Sequence, residues 1–336
     1  MKLFNEYSLR TMTLKNRLVM APMCMYQVVK EDGLATDFHF AHYVSRAIGQ
    51  VGLIIVEATG VTPNGRITDK DLGLWNDSQI EPLKRIVDAV HEQGSKIAIQ
   101  LSHAGRKSMT KNCEHFAPSV LESNQNYMPY KEMSKEEIHE IITDFKEAAI
   151  RADKAGFDGI ELHGAHGYLL HEFLSPLSNQ RSDEFGKDRN LFLKELLNEI
   201  HSVWPREKEL WIRVSATDYH ENGLKPQDVI NTLLEVKDQL DLVHVSSGGV
   251  ISTKIPLKDG YQLDLAKEIK EKVGLPTIGV GLINDPNLFI SALEDDYCDL
   301  VASGRELLRN PFIMLEMLKT NDLSDKIPFS YYRAYK

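Results

Sequence analysis

The chain has little cysteine and no long apolar run. Its 336 residues include only Cys24, Cys113 and Cys298, too few and too scattered for a disulfide framework or a C-x-x-C metal site. No apolar stretch approaches the ~20 residues that span a bilayer. The opening Met1 to Glu6 lacks the basic and then apolar pattern of a secretory signal. We therefore expect a protein of the reducing cytoplasm, with no membrane partner.

Basic residues are also in the minority. The chain has 39 Lys and Arg against 49 Asp and Glu, which gives a formal charge of −10. A nucleic-acid surface needs a concentrated basic stripe, so we expect no nucleic-acid partner. The hydrophobic share of 42% and the charged share of 26% are those of an ordinary globular protein.

Eight short apolar runs alternate with longer helical patterns along the chain. The runs are often β-branched and are followed by Gly, Pro, Ser or His, which is typical of strands buried on both faces of a parallel sheet. They comprise residues 18–21, 53–58, 96–101, 159–163, 210–215, 242–246, 277–280 and 300–303.

The segments between these runs carry helix signals. Two have the form of a capping box and one that of an N-cap before proline. These are Ser134-x-x-Glu137, Ser78-x-x-Glu81 and Asp285-Pro286. Eight strands that are each followed by a helix predict an α/β protein with a (β/α)₈ TIM barrel. We expect a single domain over residues 1–336, with a hairpin at residues 9–16 closing the bottom of the barrel.

Residues that follow the strands of such a barrel converge on one face, where active sites lie. Small residues recur at these positions beside a few polar ones, which suits a flat ligand lying close to the backbone. Gly281, Gly304 and Arg305 follow the last two strands and fit a phosphate site, because glycine amides, a helix N-terminus and a guanidinium attract anions. Residues 102–130 form the longest irregular stretch, which predicts a functional loop.

Several of these stretches resemble the old yellow enzyme family of FMN-dependent ene-reductases. The resemblance runs from Phe4 to Arg333, and Cys24 with the His163/His166 pair is similar to the bacterial thermophilic-like subgroup of NADPH dehydrogenases. The branch with an iron–sulfur segment is not expected, because its cysteines are missing. The stretches are residues 14–23, Gln100-Leu101-x-His103-Ala104-Gly105-Arg106, residues 159–170 and Ser178-x-x-x-Arg181-x-Asp183-x-x-Gly186.

The resemblance implies FMN as a non-covalent cofactor and NADPH as the electron donor. It implies a two-step cycle in which an activated alkene, a quinone or a nitro compound takes the place of NADPH. Tyr168 would be the proton donor, and His163 and His166 would hold the carbonyl oxygen. The FMN contacts implied are Ala21, Pro22, Met23, Cys24, Ala58, Gln100, Arg213, Gly281, Gly304 and Arg305. The substrate contacts implied are Tyr26, His163, Gly164, Ala165, His166 and Arg333.

The residues themselves leave other interpretations open. His163 and His166 could be core histidines or zinc ligands with Glu161, and Tyr168 could simply pack. Cys24 could be a small buried hydrophobic residue.

Other buried or charged residues also allow a structural interpretation. We interpret His39 and His42, which share a helix face, as structural packing, and the role of Lys107 stays open. Arg213 is expected to need an anionic partner, because an unpaired buried arginine is costly.

The C-terminal residues 328–336 combine aromatic and basic side chains, a composition favoured at interfaces. The resemblance implies a homodimer, or a dimer of dimers, in which Arg333 reaches the neighbouring site. Two rival classes remain for the whole chain. One is a non-catalytic flavin-binding barrel, a store or sensor. The other is a phosphate-binding lyase or isomerase, which would normally need a Schiff-base lysine or paired carboxylates at strand ends.

Overall fold

The computed structural model describes residues 1–121 and 127–335. Part of the predicted loop at residues 102–130, namely 122–126, and the last residue of the predicted tail lie outside the described residues. The strands are β1 (Tyr7–Ser8), β2 (Thr13–Leu14), β3 (Leu18–Met20), β4 (Leu53–Gly60), β5 (Lys96–Ser102), β6 (His115–Ala117), β7 (Tyr130–Glu132), β8 (Gly159–Gly164), β9 (Glu209–Ser215), β10 (Leu242–Ser246), β11 (Thr277–Gly279) and β12 (Leu300–Ser303).

Helices follow the barrel strands and pack around them. They are α1 (Asp37–Ile48), α2 (Ile80–Glu92), α3 (Lys135–Lys154), α4 (Leu169–Leu174), α5 (Glu184–Lys187), α6 (Leu191–His201), α7 (Pro226–Val236), α8 (Leu263–Val273), α9 (Pro286–Glu294), α10 (Arg305–Arg309), α11 (Ile313–Thr320) and α12 (Phe329–Tyr332). Among the described residues, no helix combines the length and the apolar character needed to cross a membrane.

Eight parallel strands close into a barrel in the order β3-β4-β5-β8-β9-β10-β11-β12. The last strand pairs with the first, with Val301 opposite Leu18. All eight predicted runs are barrel strands, and their boundaries differ from the prediction by two residues or fewer. The predicted TIM barrel is confirmed.

A hairpin covers the amino-terminal end of the barrel strands. Its strands β1 and β2 pair antiparallel. The hairpin spans residues 7–14 and therefore lies two residues earlier than predicted. Leu9 and Met12 pack with apolar side chains of the barrel interior. The amides of Thr11 and Met12 donate to Glu209 Oε1, at the start of β9, over 2.7 and 2.8 Å. These bonds hold the hairpin across the bottom of the barrel.

The predicted starts of α3 and α9 are confirmed, since Ser134 and Glu137 form a reciprocal capping box and Asp285 caps α9. The predicted start of α2 at Ser78 is wrong. A short 3₁₀ turn precedes this helix, and Asn76 caps it by accepting from the Ser78 amide over 2.9 Å. The capping residue therefore lies two residues before the predicted Ser78.

Candidate active site

An open cleft lies at the carboxyl ends of the barrel strands. It is bordered by the segment after β3, the ends of β9 and β10, and the loops after β11 and β12. Eight residues of the predicted site line it. They are Ala21, Pro22, Met23, His166, Arg213, Gly281, Gly304 and Arg305.

Arg213 lies at the floor of this cleft and is 8% exposed. Within the described residues its guanidinium makes no hydrogen bond or ion pair, and its Nε is buried without a partner. Burial lowers the pKa of Arg213, and the charge of Glu161 opposes that effect. A buried charge in this state calls for an anionic or electron-rich group in the cleft. The arginine therefore fits a bound flavin ring.

The opposite end of the cleft is lined by backbone. Gly281 has φ +122°, a conformation that residues with a side chain rarely adopt. Gly304 caps α10, and Arg305 follows it with no hydrogen-bond or ion-pair partner among the described residues. Exposed amides beside a free guanidinium suit a phosphate group.

Two aromatic side chains cluster with His166, which lines the cleft. The ring of His163 meets those of His166 and Tyr168 edge-on, with centroids 5.2 and 4.7 Å away. Burial, and then the charge of Arg213, hold the pKa of both histidines well below the usual value, so both are neutral. Nδ1 of His163 accepts from the Ala165 amide over 3.3 Å, which leaves its Nε2 as the N–H donor.

Tyr168 keeps its proton at neutral pH. Its half-buried ring packs against the cluster of Ala58, Ile67 and Ala104. Burial is the main cause that raises the pKa of the phenol far above its usual value. The side chain can therefore act as an acid and not as a phenolate.

Cys24 and Tyr26 lie on the segment that follows β3. Cys24 packs beside Ala58, and burial raises the pKa of its thiol well above normal, so it is not a thiolate nucleophile. Tyr26 is 44% exposed, and partial burial raises the pKa of its phenol to about 12. Both side chains are neutral at physiological pH.

Glu161, which the sequence leaves open as a metal ligand, is occupied inside the barrel. Its Oε1 accepts from Gln100 over 2.6 Å, and its Oε2 accepts from Trp211 and His244 over 2.7 Å each. The described residues contain no group of three His, Cys, Asp or Glu side chains that could hold a metal. Gln100 is thereby fixed below the cleft.

Three other residues named in the sequence analysis do not line the cleft. Gly164 packs against β9, because a Cβ there would lie 2.9 Å from Ile212 and 3.0 Å from the Arg213 carbonyl. Arg333 is exposed after α12 and is not among the residues that line the cleft of its own chain. Lys107 donates to the carbonyl of His166 over 2.7 Å.

Sequence reasoning missed part of the cleft wall. Tyr261 and Gln262 precede α8, and Leu282 and Asn284 follow β11. No motif marks them, and the first two lie far along the chain from β10. Ser246, the last residue of β10, could have been predicted from its position at a strand end.

Comparisons with known proteins agree with this geometry. The NADH:flavin oxidoreductase / NADH oxidase family matches residues 2–322. The chain is 51% identical to an NADPH dehydrogenase of Clostridium acetobutylicum, with all of both chains covered. It is 47% identical to an NADPH dehydrogenase of Bacillus subtilis, with 99% of each covered. Morphinone reductase has the same fold, with a TM-score of 0.81 and 27% identity over 95% of this chain and 89% of that one.

A closed parallel barrel fits a flavin-dependent oxidoreductase when its cleft combines an arginine that has no partner among the described residues with glycine backbone suited to a phosphate. The chain belongs to the NADH:flavin oxidoreductase / NADH oxidase family, and its cofactor is FMN. The resemblance to the old yellow enzymes is thereby confirmed.

Proposed function

We propose that the protein oxidises NADPH and reduces the activated C=C bond of α,β-unsaturated carbonyl compounds, and also quinones and nitro compounds. One observation carries the proposal. The rings of neutral His166 and protonated Tyr168 lie 5.2 and 4.7 Å from that of neutral His163, and His166 lines a cleft that also holds Arg213, unpaired among the described residues. NADPH as donor is supported by the relatives, which are named NADPH dehydrogenases.

The cofactor is held by residues of the cleft and of the segments around it. FMN, when bound, carries a hydride from NADPH to the acceptor. Arg213 would favour negative charge on the flavin ring, and Gly281, Gly304 and Arg305 would hold the phosphate. The remaining contacts come from Ala21, Pro22, Met23, Cys24, Ala58 and Gln100.

His163 donates a hydrogen bond from Nε2 to the carbonyl oxygen of the acceptor. His166, whose Nε2 is hydrogen-bonded to Ser246 Oγ over 2.7 Å, donates to the same oxygen from Nδ1. Charge develops on that oxygen as the β-carbon receives hydride, so donors already in place stabilise the transition state. Tyr168 then protonates the α-carbon. Tyr26, Gly164 and Ala165 border the acceptor. NADPH and acceptor occupy the same place in turn, which gives a ping-pong mechanism.

The proposal is tested by supplying NADPH and cyclohexenone and identifying the products. We expect one cyclohexanone for each NADPH consumed, with parallel lines in double-reciprocal plots. A flavoprotein that acts only as a store or sensor would bind both compounds without forming cyclohexanone, and that result would overturn the proposal.

We also propose a homodimer, or a dimer of dimers, in which residues 328–336 lie at the interface. Helix α12 leaves Phe329 90% exposed, and the ring of Tyr331 packs 5.6 Å from Phe312. An apolar side chain so exposed beside an ordered aromatic one suits burial by a second copy. Arg333 would then complete the substrate site of the partner. We place the protein in the cytoplasm, on the strength of its three free cysteines.

A further inference from the structure

The turn between His166 and Gly167 has an unusual backbone. Both residues are left-handed, with φ 61° and 73°. This conformation is unfavourable for a residue with a side chain, so the surroundings must hold His166 in it. A Cβ on Gly167 would lie 2.5 Å from the Gly249 carbonyl, so no other residue fits there. The turn carries His166 and leads into Tyr168.

Side chains from three other segments bind the backbone of this turn. The His166 amide donates to Ser215 Oγ over 3.0 Å. Lys107 donates to the His166 carbonyl over 2.7 Å. The Gly167 amide donates to Nδ1 of His171 over 2.9 Å. The last contact requires a lone pair on Nδ1.

The other nitrogen of His171 faces a carboxylate. Nε2 lies 3.0 Å from Oδ1 of Asp218, and both groups are fully buried. This close approach does not meet the geometry of a hydrogen bond, and neither atom has a hydrogen-bond partner among the described residues. The second oxygen of Asp218 accepts from Ser175 over 2.7 Å and from the Leu224 amide over 2.8 Å.

Asp218 is ionised. Burial by itself would raise the pKa of its carboxyl, but the contact with His171 and the hydrogen bonds from Ser175 and Leu224 outweigh burial and hold the pKa below its usual value. An ionised carboxylate beside Nε2 favours a proton on that nitrogen. The Gly167 amide donates to Nδ1, so Nδ1 must carry no proton. Only the neutral Nε2–H form of His171 satisfies both neighbours.

We propose that Asp218 and His171 are a positioning pair for the catalytic turn. Asp218 selects the ring form of His171, His171 holds the Gly167 amide, and the turn in consequence sets the orientation of His166 and Tyr168. Neither residue lines the cleft. The proposal rests on the roles proposed above for His166 and Tyr168.

The first test reads the ring form directly. Nitrogen NMR of the holoenzyme labelled at histidine should show His171 protonated at Nε2 and unprotonated at Nδ1. In Asp218→Asn the near-isosteric amide can donate to Nε2, which moves the proton to Nδ1, opposite the Gly167 N–H. A wild-type His171 with its proton on Nδ1, or on both nitrogens, would overturn the proposal.

The second test reads the consequence for the site. Asp218→Asn should weaken the binding of para-chlorophenol, followed by its charge-transfer band, and slow cyclohexenone reduction by about 10²-fold, as small misplacements do. The matched control is Asp158→Asn. Asp158 also accepts from a histidine, His91, over 2.7 Å and from the Ile97 amide, but at the other end of the barrel. It should leave both readings as in the wild type.

A double-mutant cycle separates positioning from folding. In His171→Asn the side-chain oxygen can take the place of Nδ1, so the Gly167 amide keeps an acceptor whatever the state of Asp218. This variant should lose much less than Asp218→Asn, and adding Asp218→Asn to it should cost little more. Equal and additive losses in both backgrounds would mean that the pair only supports the fold.

The outcomes for the pair and for the proposed function are distinct. A wild-type enzyme that binds para-chlorophenol but forms no cyclohexanone would reject the proposed acceptor, while the effect of Asp218→Asn on phenol binding would still support the pair. An active wild type in which Asp218→Asn behaves like Asp158→Asn would reject the pair alone.

Discussion

At the scale of single residues, burial sets the charge of the groups around the cleft. The imidazoles of His163 and His166 are neutral because burial and the nearby Arg213 oppose a second positive charge. Burial also keeps the phenol of Tyr168 protonated. At neutral pH the two histidines can therefore donate hydrogen bonds and Tyr168 can donate a proton. Arg213 supplies the positive charge at the floor of the cleft.

Replacing Tyr168 by Phe should slow reoxidation of the reduced enzyme by cyclohexenone by ~10²–10⁴-fold, the usual cost of losing a general acid. Reduction by NADPH should be little changed, because that step needs no proton from the tyrosine. Anaerobic stopped-flow measurement of the two half-reactions checks this. Equal slowing of both would assign Tyr168 a packing role instead.

Arg213→Met tests the inference from the unpaired guanidinium. Because Arg213 has no ion-pair partner in the part of the chain that the structure describes, removing its charge should not lower the free energy of unfolding of the apoprotein. The Kd for FMN should rise at least about tenfold, or ~1.4 kcal/mol. Thermal melts of the apoprotein and FMN titrations measure the two effects. A destabilised apoprotein with unchanged FMN affinity would show that the arginine serves the fold.

At the scale of elements, the hairpin of β1 and β2 depends on one buried carboxylate. Glu209 accepts from two hairpin amides and lies 3.1 Å from Arg10. Glu209→Ala should lower the free energy of unfolding by about 2–3 kcal/mol, since it leaves both amides unpaired. Glu209→Gln, which keeps an acceptor, should cost less. Urea unfolding measures both variants.

Enzyme turnover is the control for the hairpin, because Glu209 lies at the end of the barrel opposite the cleft. Turnover below the melting range should match the wild type in both variants. A loss from Glu209→Ala within about 0.5 kcal/mol, the range of ordinary surface substitutions, would mean that the hairpin does not depend on this carboxylate.

The barrel strands could be predicted from the sequence because each is buried on both faces and therefore apolar throughout. The start of α2 could not, since a 3₁₀ turn capped by Asn76 replaces the expected cap at Ser78. Site residues at strand ends, such as Arg213, follow from the barrel itself. Tyr261 and Gln262 do not, because only the fold of the loop before α8 brings them to the cleft.

Contacts between distant segments could not be predicted from the sequence, but for a different cause. The role of Lys107 stayed open because its partner is a backbone carbonyl 59 residues away, which no side-chain pattern reveals. The approach of His171 to Asp218 likewise joins α4 to the loop after β9. Such pairings depend on how the barrel closes and not on local periodicity.

At the scale of the whole molecule, the tail after Ser330 decides whether two chains share a site. Deleting it should weaken the dimer, raise the KM for cyclohexenone and leave the FMN content intact, because Arg333 does not line the cleft of its own chain. Light scattering and steady-state kinetics measure the two losses. Arg333→Ala, which keeps the aromatic residues, should raise the KM without dissociating the dimer. Unchanged mass and kinetics after truncation would contradict the shared site.

The central claim is that this barrel binds FMN and passes electrons through it. The most direct test is the visible spectrum of the purified protein, recorded without oxygen while NADPH and then cyclohexenone are added. We predict a yellow protein whose flavin absorbance disappears with NADPH, returns with cyclohexenone, and is released as free FMN on denaturation. A colourless protein that cannot be reconstituted with FMN would contradict the account.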